Sequence, residues 1–320
     1  MRNLVTIAKN TLIETLRQPI YAVIISIALL LFLISPSLAM YTMDDDNKLL
    51  REIGLSTLFL SSLFIAIFSA SGAVSMELEN KTIMTVLTKP VQRPIFLIAK
   101  FLGVLMAVAL AHYVCTIGLL MAIRHGVMAT ASDTHDWTVI GTAGVIVVVT
   151  TLLGAFFNYV YDWKFTSSAI VIAAILATAG LVFLIFIDRD LKFNPSANGI
   201  NALDIYGSIL LFLAAMVIAA LAVAVSTRFN TMVTLSACVG IFLLGLISDY
   251  VFGRFADVYL WARIGRFIVP NLQVFWISDA IYEGSRVPPS YILISGSYAL
   301  CYTGAILALA VALFQRKQIG

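Results

Sequence analysis

The chain is poor in charge: 12% of its 320 residues are Asp, Glu, Lys or Arg, about half the share of an ordinary soluble domain. With 61% hydrophobic residues and a mean hydropathy of +1.00, it has too little polar surface for one aqueous core, which stops growing at roughly 250–300 residues. Lipid is the solvent that fits. The same scarcity speaks against nucleic acid as a partner, because the net charge of +3 comes with no long basic stripe. Cysteine is scarce too. Cys115, Cys238 and Cys301 stand far apart inside apolar runs, which is neither a disulfide framework nor a metal-ligand spacing, so they read as small hydrophobes. There is no glycine-rich loop ending in Gly-Lys-Ser or Gly-Lys-Thr, so ATP hydrolysis is not expected on this polypeptide. No Ser–His–Asp order, carboxylate pair or Cys–His cluster stands out, and the expected catalytic, cofactor and metal residue sets are empty. No cleavable signal peptide is expected either, since the first apolar run begins near Ile20, is of span length and follows a polar leader.

What the sequence does have is long apolar runs. A spanning helix needs about 20 mostly apolar residues, because backbone polar groups in lipid must bond within their own segment. Such runs lie at about 20–40, 54–75, 96–122, 139–160, 167–187, 205–226, 231–252 and 291–313. The expected fold is therefore an all-α integral membrane bundle of about eight transmembrane helices, with six as the alternative, forming a single domain over 1–320. Ahead of the first run, Leu4, Val5, Ala8, Leu12, Ile13 and Leu16 recur at helical spacing while Arg2, Lys9, Glu14 and Arg17 take the other face. This pattern predicts an interfacial helix over 2–18, stopped at Pro19. Segment 253–290 interleaves Tyr259, Trp261, Phe267 and Trp276 with Arg263 and Arg266, and reads as short interfacial helices on the outer face, broken at Pro270.

Polar residues within or beside the runs read mostly as structure. His112 has no acidic neighbour at helical spacing and is expected to be packed. His125, His135, Asp133 and Asp136 match no zinc spacing. Asp249 is expected to pair with Arg254, and Asp162 with Lys164. Gly141, Gly144 and Gly154, with Ala214, Ala215, Ala219 and Ala220, suit close helix packing within the fold or across a dimer.

The most charged stretch facing the amino-terminal side lies between the second and third runs, at 76–94. Ile83, Val86 and Leu87 form a short apolar face, ringed by Glu77, Glu79, Lys81, Lys89 and Arg93, and Pro90 and Pro94 close the helix. Acids lead and bases trail, the order a helix dipole favours. A greasy patch with a charged rim has the anatomy of a docking site, while an amphipathic helix resting on lipid has the same composition.

This segment resembles the ABC-2 type permeases, the membrane subunits of one class of ATP-binding-cassette exporters. In that family a glutamate, threonine, leucine, proline, arginine and lysine recur in order between the second and third spans, and this chain has Glu79, Thr82, Leu87, Pro90, Arg93 and Lys100. Lys81 stands where the family often has glycine before the threonine. The resemblance implies a cytoplasmic coupling helix seated in a separate ATP-binding-cassette ATPase, and a second permease subunit completing a homo- or heterodimer. The seven basic residues Arg2, Lys9, Arg17, Lys81, Lys89, Arg93 and Lys100 put the amino terminus inside. An even span count then puts both termini in the cytoplasm of a multi-pass protein of the cell inner membrane. A gradient-driven secondary transporter and a non-transporting scaffold or assembly protein are the rival readings.

Overall fold

The computed structural model describes residues 2–39, 46–75, 92–128, 135–195, 198, 200–283 and 286–315. Among them the chain is predominantly helical with no strand, and the one β feature is an isolated bridge between Ile187 and Phe193. Among the described residues, seven helices are long and apolar enough to cross a membrane, or eight if a bent pair is counted as one span. They are α2 (Pro19–Ala39), α3 (Asp46–Ala70, prolonged by a π turn at Ser71–Ser75), α4 (Arg93–His125), α5 (Trp137–Tyr161), α6 (Phe165–Phe186), α7 (Ala202–Ser226) and α12 (Pro289–Gln315). Ahead of them lies α1 (Arg2–Leu16). Between α7 and α12 lie α8 (Thr231–Leu246), α9 (Ser248–Val251), α10 (Leu260–Ile268) and α11 (Ser278–Tyr282).

Burial sorts these helices into a centre and a rim. In α7 72% of the apolar window is buried and in α3 67%, against 11% in α5. Composition explains the order. Ala214, Ala215, Ala219, Ala220 and Ala222 are fully buried on α7, and small side chains let neighbouring backbones approach closely where lipid supplies no hydrophobic drive. By contrast α5 turns Val145, Val148, Leu152 and Phe156 outward and packs mainly on α6. Their hairpin turns at Asp162 in the left-handed region (φ 53°), with Phe157 stacked on Trp163 at 5.1 Å.

A Cβ added at Gly141 or Gly144 on α5 would meet nothing within 4 Å, while one at Gly154 would meet Phe165 and Ala169. The expected small-residue packing is thus realised within the chain on α7 and at Gly154.

Two ends of the bundle are distinguishable by contacts. At the amino-terminal end, Arg93 Nη1 donates to Gln315 O (2.9 Å) and Arg228 Nη2 to Leu313 O (2.7 Å), so the start of α4 and the turn after α7 meet the end of α12. Phe96 stacks on Phe314 at 6.0 Å in the same place. At the opposite end, Arg51 pairs with Asp204, Tyr291 Oη donates to Val274 O, and Asn271 N donates to Tyr298 Oη.

The helix α1 lies on α4, where Gly103 receives Ala8 and Thr11. Its buried positions are Ala8, Thr11, Thr15 and Leu16. Val5, from the apolar stripe, is exposed. Close approach, rather than greasiness, selects the docked face. Pro19 occupies the first position of α2, where its missing N–H costs nothing.

The helix α8 has 16 residues, about 24 Å at the usual rise and short of a hydrocarbon core of about 30 Å. It begins beside Ser71, through Ser71 Oγ donating to Thr231 Oγ1, and ends where Leu272 N donates to Gly245 O. A bend of 66° then leads into Ser248–Phe255. The stretch up to α12 is broken into short pieces, with 3₁₀ turns at Gly253–Phe255 and Gln273–Phe275. Trp261, Ile264, Phe267 and Ile268 of α10 are exposed.

Candidate functional site

Of the residues expected to dock a partner, Glu77, Glu79, Lys81, Thr82, Ile83, Val86, Leu87, Lys89 and Pro90 lie outside the described residues. Arg93 is described. It opens α4 together with Pro94 and binds the last carbonyl of α12 through Nη1. Lys100, two turns further on, is buried, with its ammonium 5.7 Å from the Phe96 ring centroid. A cation over an aromatic face keeps part of its stabilisation away from water.

What is described is the collar from which that segment leaves and returns. The π turn Ser71–Ser75 is wholly buried. A π turn widens the helix and breaks its regular ladder, a distortion found most often at functional sites. Here the sequence explains it: Ser-Gly-Ala-Val-Ser offers two hydroxyls and almost no side-chain bulk. Ser71 Oγ donates to Thr231 Oγ1 (2.7 Å) and Ser75 Oγ to Phe229 O (2.6 Å), tying the turn to the start of α8. A Cβ added at Gly72 would meet Gln18, at the junction of α1 and α2, at 2.7 Å. The far side of the segment is fixed by Arg93 on α12. The residues flanking 76–91 are therefore joined to α8 and α12 through a few short bonds.

A second polar cluster sits inside the bundle. His112 is buried and lies between Ser62 Oγ (2.8 Å from Nδ1) and Ser208 (2.9 Å from Nε2 to the carbonyl, 3.1 Å to Oγ). Thr116 Oγ1 and Ser208 Oγ are 2.7 Å apart. Every ring nitrogen has a partner without any carboxylate, so the expected packed histidine is what the structure contains. Sequence periodicity missed its ring partners, because Ser62 and Ser208 belong to two other helices, α3 and α7.

The third cluster lines a cavity of about 310 Å³ at the end opposite the chain termini. Arg51 of α3 pairs with Asp204 of α7 (Nε to Oδ1, 3.2 Å). Asp136, almost fully buried, caps α5 by accepting from Thr138 N and Val139 N through Oδ1. Its Oδ2 faces Arg189 Nε at 3.5 Å and Arg124 Nε at 3.8 Å. Arg124 Nη2 donates to Ile187 O and Arg189 Nη2 to His125 O. In the sequence Asp136 stands only beside His135 and Asp133, with no zinc spacing to mark it. Nothing in that spacing shows that Arg124 and Arg189, 12 residues before and 53 after it, converge there.

Two smaller expectations are corrected. Asp249 pairs with Arg266 (3.9 Å), because the turn at Gly253–Phe255 carries Arg254 away onto the Phe255 ring. No ion pair joins Asp162 and Lys164 among the described residues, since the left-handed turn separates them. No group of three metal-ligating side chains occurs among the described residues, and the His125 and His135 rings simply lie 5.6 Å apart. No protein-family model matches the chain, and no curated protein matches it.

Proposed function

We propose that the chain is the permease subunit of an ATP-binding-cassette exporter, which moves its cargo when a separate ATPase pulls on segment 76–91. The observation that carries this reading is the charged, amphipathic segment MELENKTIMTVLTKPV at 76–91, flanked by a buried π turn on one side and by Arg93 on the other. Both flanks sit at the end of the bundle shared with α1 and the last turn of α12, which suits a handle presented on the same side as both termini. In this reading that side is cytoplasmic. The helix α8, starting at one end and finishing at the other, is counted as an eighth, bent crossing. A second copy or a paralogous permease completes the transporter.

The test is co-purification. A soluble ATPase should accompany the chain, and its turnover should be stimulated by it. Replacing Glu79 and Arg93 with alanine should lower that stimulation while membrane insertion is kept. ATPase stimulation that survives deletion of residues 77–90 would overturn the proposal.

A further inference from the structure

The cavity at the end opposite the termini is assembled from helix ends. Arg124 lies in the last turn of α4, Asp136 caps α5, Asp188 and Arg189 directly follow α6, and Asp204 lies in the first turn of α7. In a spanning bundle this is the depth of lipid head groups. Below the charged ring the wall is apolar: Leu120 and Met121 of α4, and Leu181, Leu184 and Ile185 of α6. Polar groups above and aliphatic groups beneath match an amphiphile. The volume of about 310 Å³ lies at the lower end of the roughly 300–1,000 Å³ of small-ligand pockets.

Charge decides which amphiphile. Arg51, Arg124 and Arg189 face Asp136, Asp188 and Asp204, so the lining is formally neutral, and an anionic head group would bring one uncompensated charge. Two buried charged atoms also lack hydrogen-bond partners: Arg124 Nη1 and Asp136 Oδ2. Arg124 Nη1 is a donor without an acceptor, and Asp136 Oδ2 is an acceptor held by two long ion pairs, 3.5 and 3.8 Å, and by no hydrogen bond. A guest that completes both sites carries an acceptor oxygen for Arg124 and an N–H or O–H donor that gives Asp136 the short hydrogen bond its ion pairs lack. Charge-assisted bonds are roughly twice as strong as neutral ones, which favours full charges over hydroxyls at both atoms.

We infer that this cavity binds the head group of a zwitterionic phospholipid of the phosphoethanolamine type, its phosphate accepting from Arg124 and its ammonium donating to Asp136. The inference does not rest on the exporter reading, because binding is measured without ATP or a partner.

The experiment is native mass spectrometry of the purified full chain titrated with phosphatidylethanolamine, phosphatidylglycerol and a neutral glycosyl diacylglycerol. Phosphatidylethanolamine should be retained about tenfold more than either competitor, one charge-assisted bond's worth. Free phosphoethanolamine should compete with it if the head group alone is recognised, and its failure to compete would overturn the head-group assignment. Arg124→Gln should abolish the preference. Because Asp136 also caps α5, Asn198→Trp serves as the second variant: it fills the mouth of the cavity and leaves every charge in place. Equal retention of the three lipids, a preference for the glycolipid, or a preference untouched by Asn198→Trp would each overturn the proposal.

Discussion

A methyl group at Gly103 is the sharpest probe of how α1 is held. The ideal Cβ at this position falls 2.6 Å from the backbone oxygen of Ala8, 2.6 Å from Thr11 Cβ and 2.9 Å from Thr11 Cγ2. Unstrained contacts between such atoms lie near 3.5–4.0 Å. The obstruction is backbone on one side. On the other it is a β-branched residue whose hydroxyl is already committed to Ile7 O at 2.9 Å. Neither can swing aside, so Gly103→Ala must move α1 outward by about 1 Å or release it. Overpacking of this kind costs about 1–3 kcal/mol, which lowers the ratio of docked to released α1 by about 5- to 150-fold. Thr15→Cys on the docked face, in a Cys301→Ser background, reports the released state through maleimide labelling, since Cys115 and Cys238 are buried. The labelling rate should rise by that factor in Gly103→Ala and stay level in Gly141→Ala, where an added Cβ meets nothing within 4 Å. Equal labelling of Gly103→Ala and the parent would refute the packing argument.

Other substitutions separate holding from moving. Ser71→Ala with Ser75→Ala removes two hydrogen bonds of the π turn. Inside a membrane such bonds are worth about 0.6 kcal/mol each, so thermal unfolding should barely change; under the proposed exporter function, stimulation of an ATPase should fall, and full stimulation would show that the collar transmits nothing. Arg228→Ala frees Leu313 O, and amide exchange over residues 311–315 should quicken several-fold without affecting α7. His112→Leu deletes the contacts to Ser62 and Ser208 and should cost no more than about 2 kcal/mol. It should leave the pH profile of transport unchanged, whereas a profile that loses a step in the variant would make His112 a proton carrier.

The bundle was legible because its signal is one-dimensional. Apolar runs predicted at 96–122 and 205–226 appear as Arg93–His125 and Ala202–Ser226, since lipid leaves a backbone no alternative to helix. The run placed at 231–252 instead stops at Leu246 and bends. Hydropathy is blind to that bend, because Gly245 must admit Pro270 O and the Leu272 side chain, whose atoms lie within 2.9 Å of where its Cβ would be. For the same reason the sequence showed chemistry only where residues were neighbours along the chain. The charged segment at 76–94 stood out at once, while the Arg124–Asp136–Arg189 group did not, because three separate helix ends have to meet before it exists.

The two ends of the molecule are joined by the same pair of buried helices. The helix α3 carries Arg51 at the cavity and the π turn at the collar, and α7 carries Asp204 at the cavity and leads into Phe229 at the collar. Between them lies the Ser62–His112–Ser208 cluster, polar but fully bonded, which ties α3, α4 and α7 together. A displacement of the π turn therefore reaches the Arg51–Asp204 pair through packed helices rather than through a chain of flexible side chains, and it acts on α7 as well as α3 because Ser75 is bonded to Phe229. Linkage then requires reciprocity: if a partner gripping 76–91 changes head-group affinity in the cavity by some factor, the head group changes that partner's affinity by the same factor, typically about 5- to 150-fold. Measuring lipid retention with and without the ATPase, and ATPase affinity with and without the lipid, checks both sides of the equality. Large factors would establish that the two ends are coupled, and their loss in Ser71→Ala with Ser75→Ala would make α3 and α7 the transmission. Coupling that persists after Ser71→Ala and Ser75→Ala would move the route elsewhere, because these two hydroxyls tie the π turn to the segment between α7 and α8.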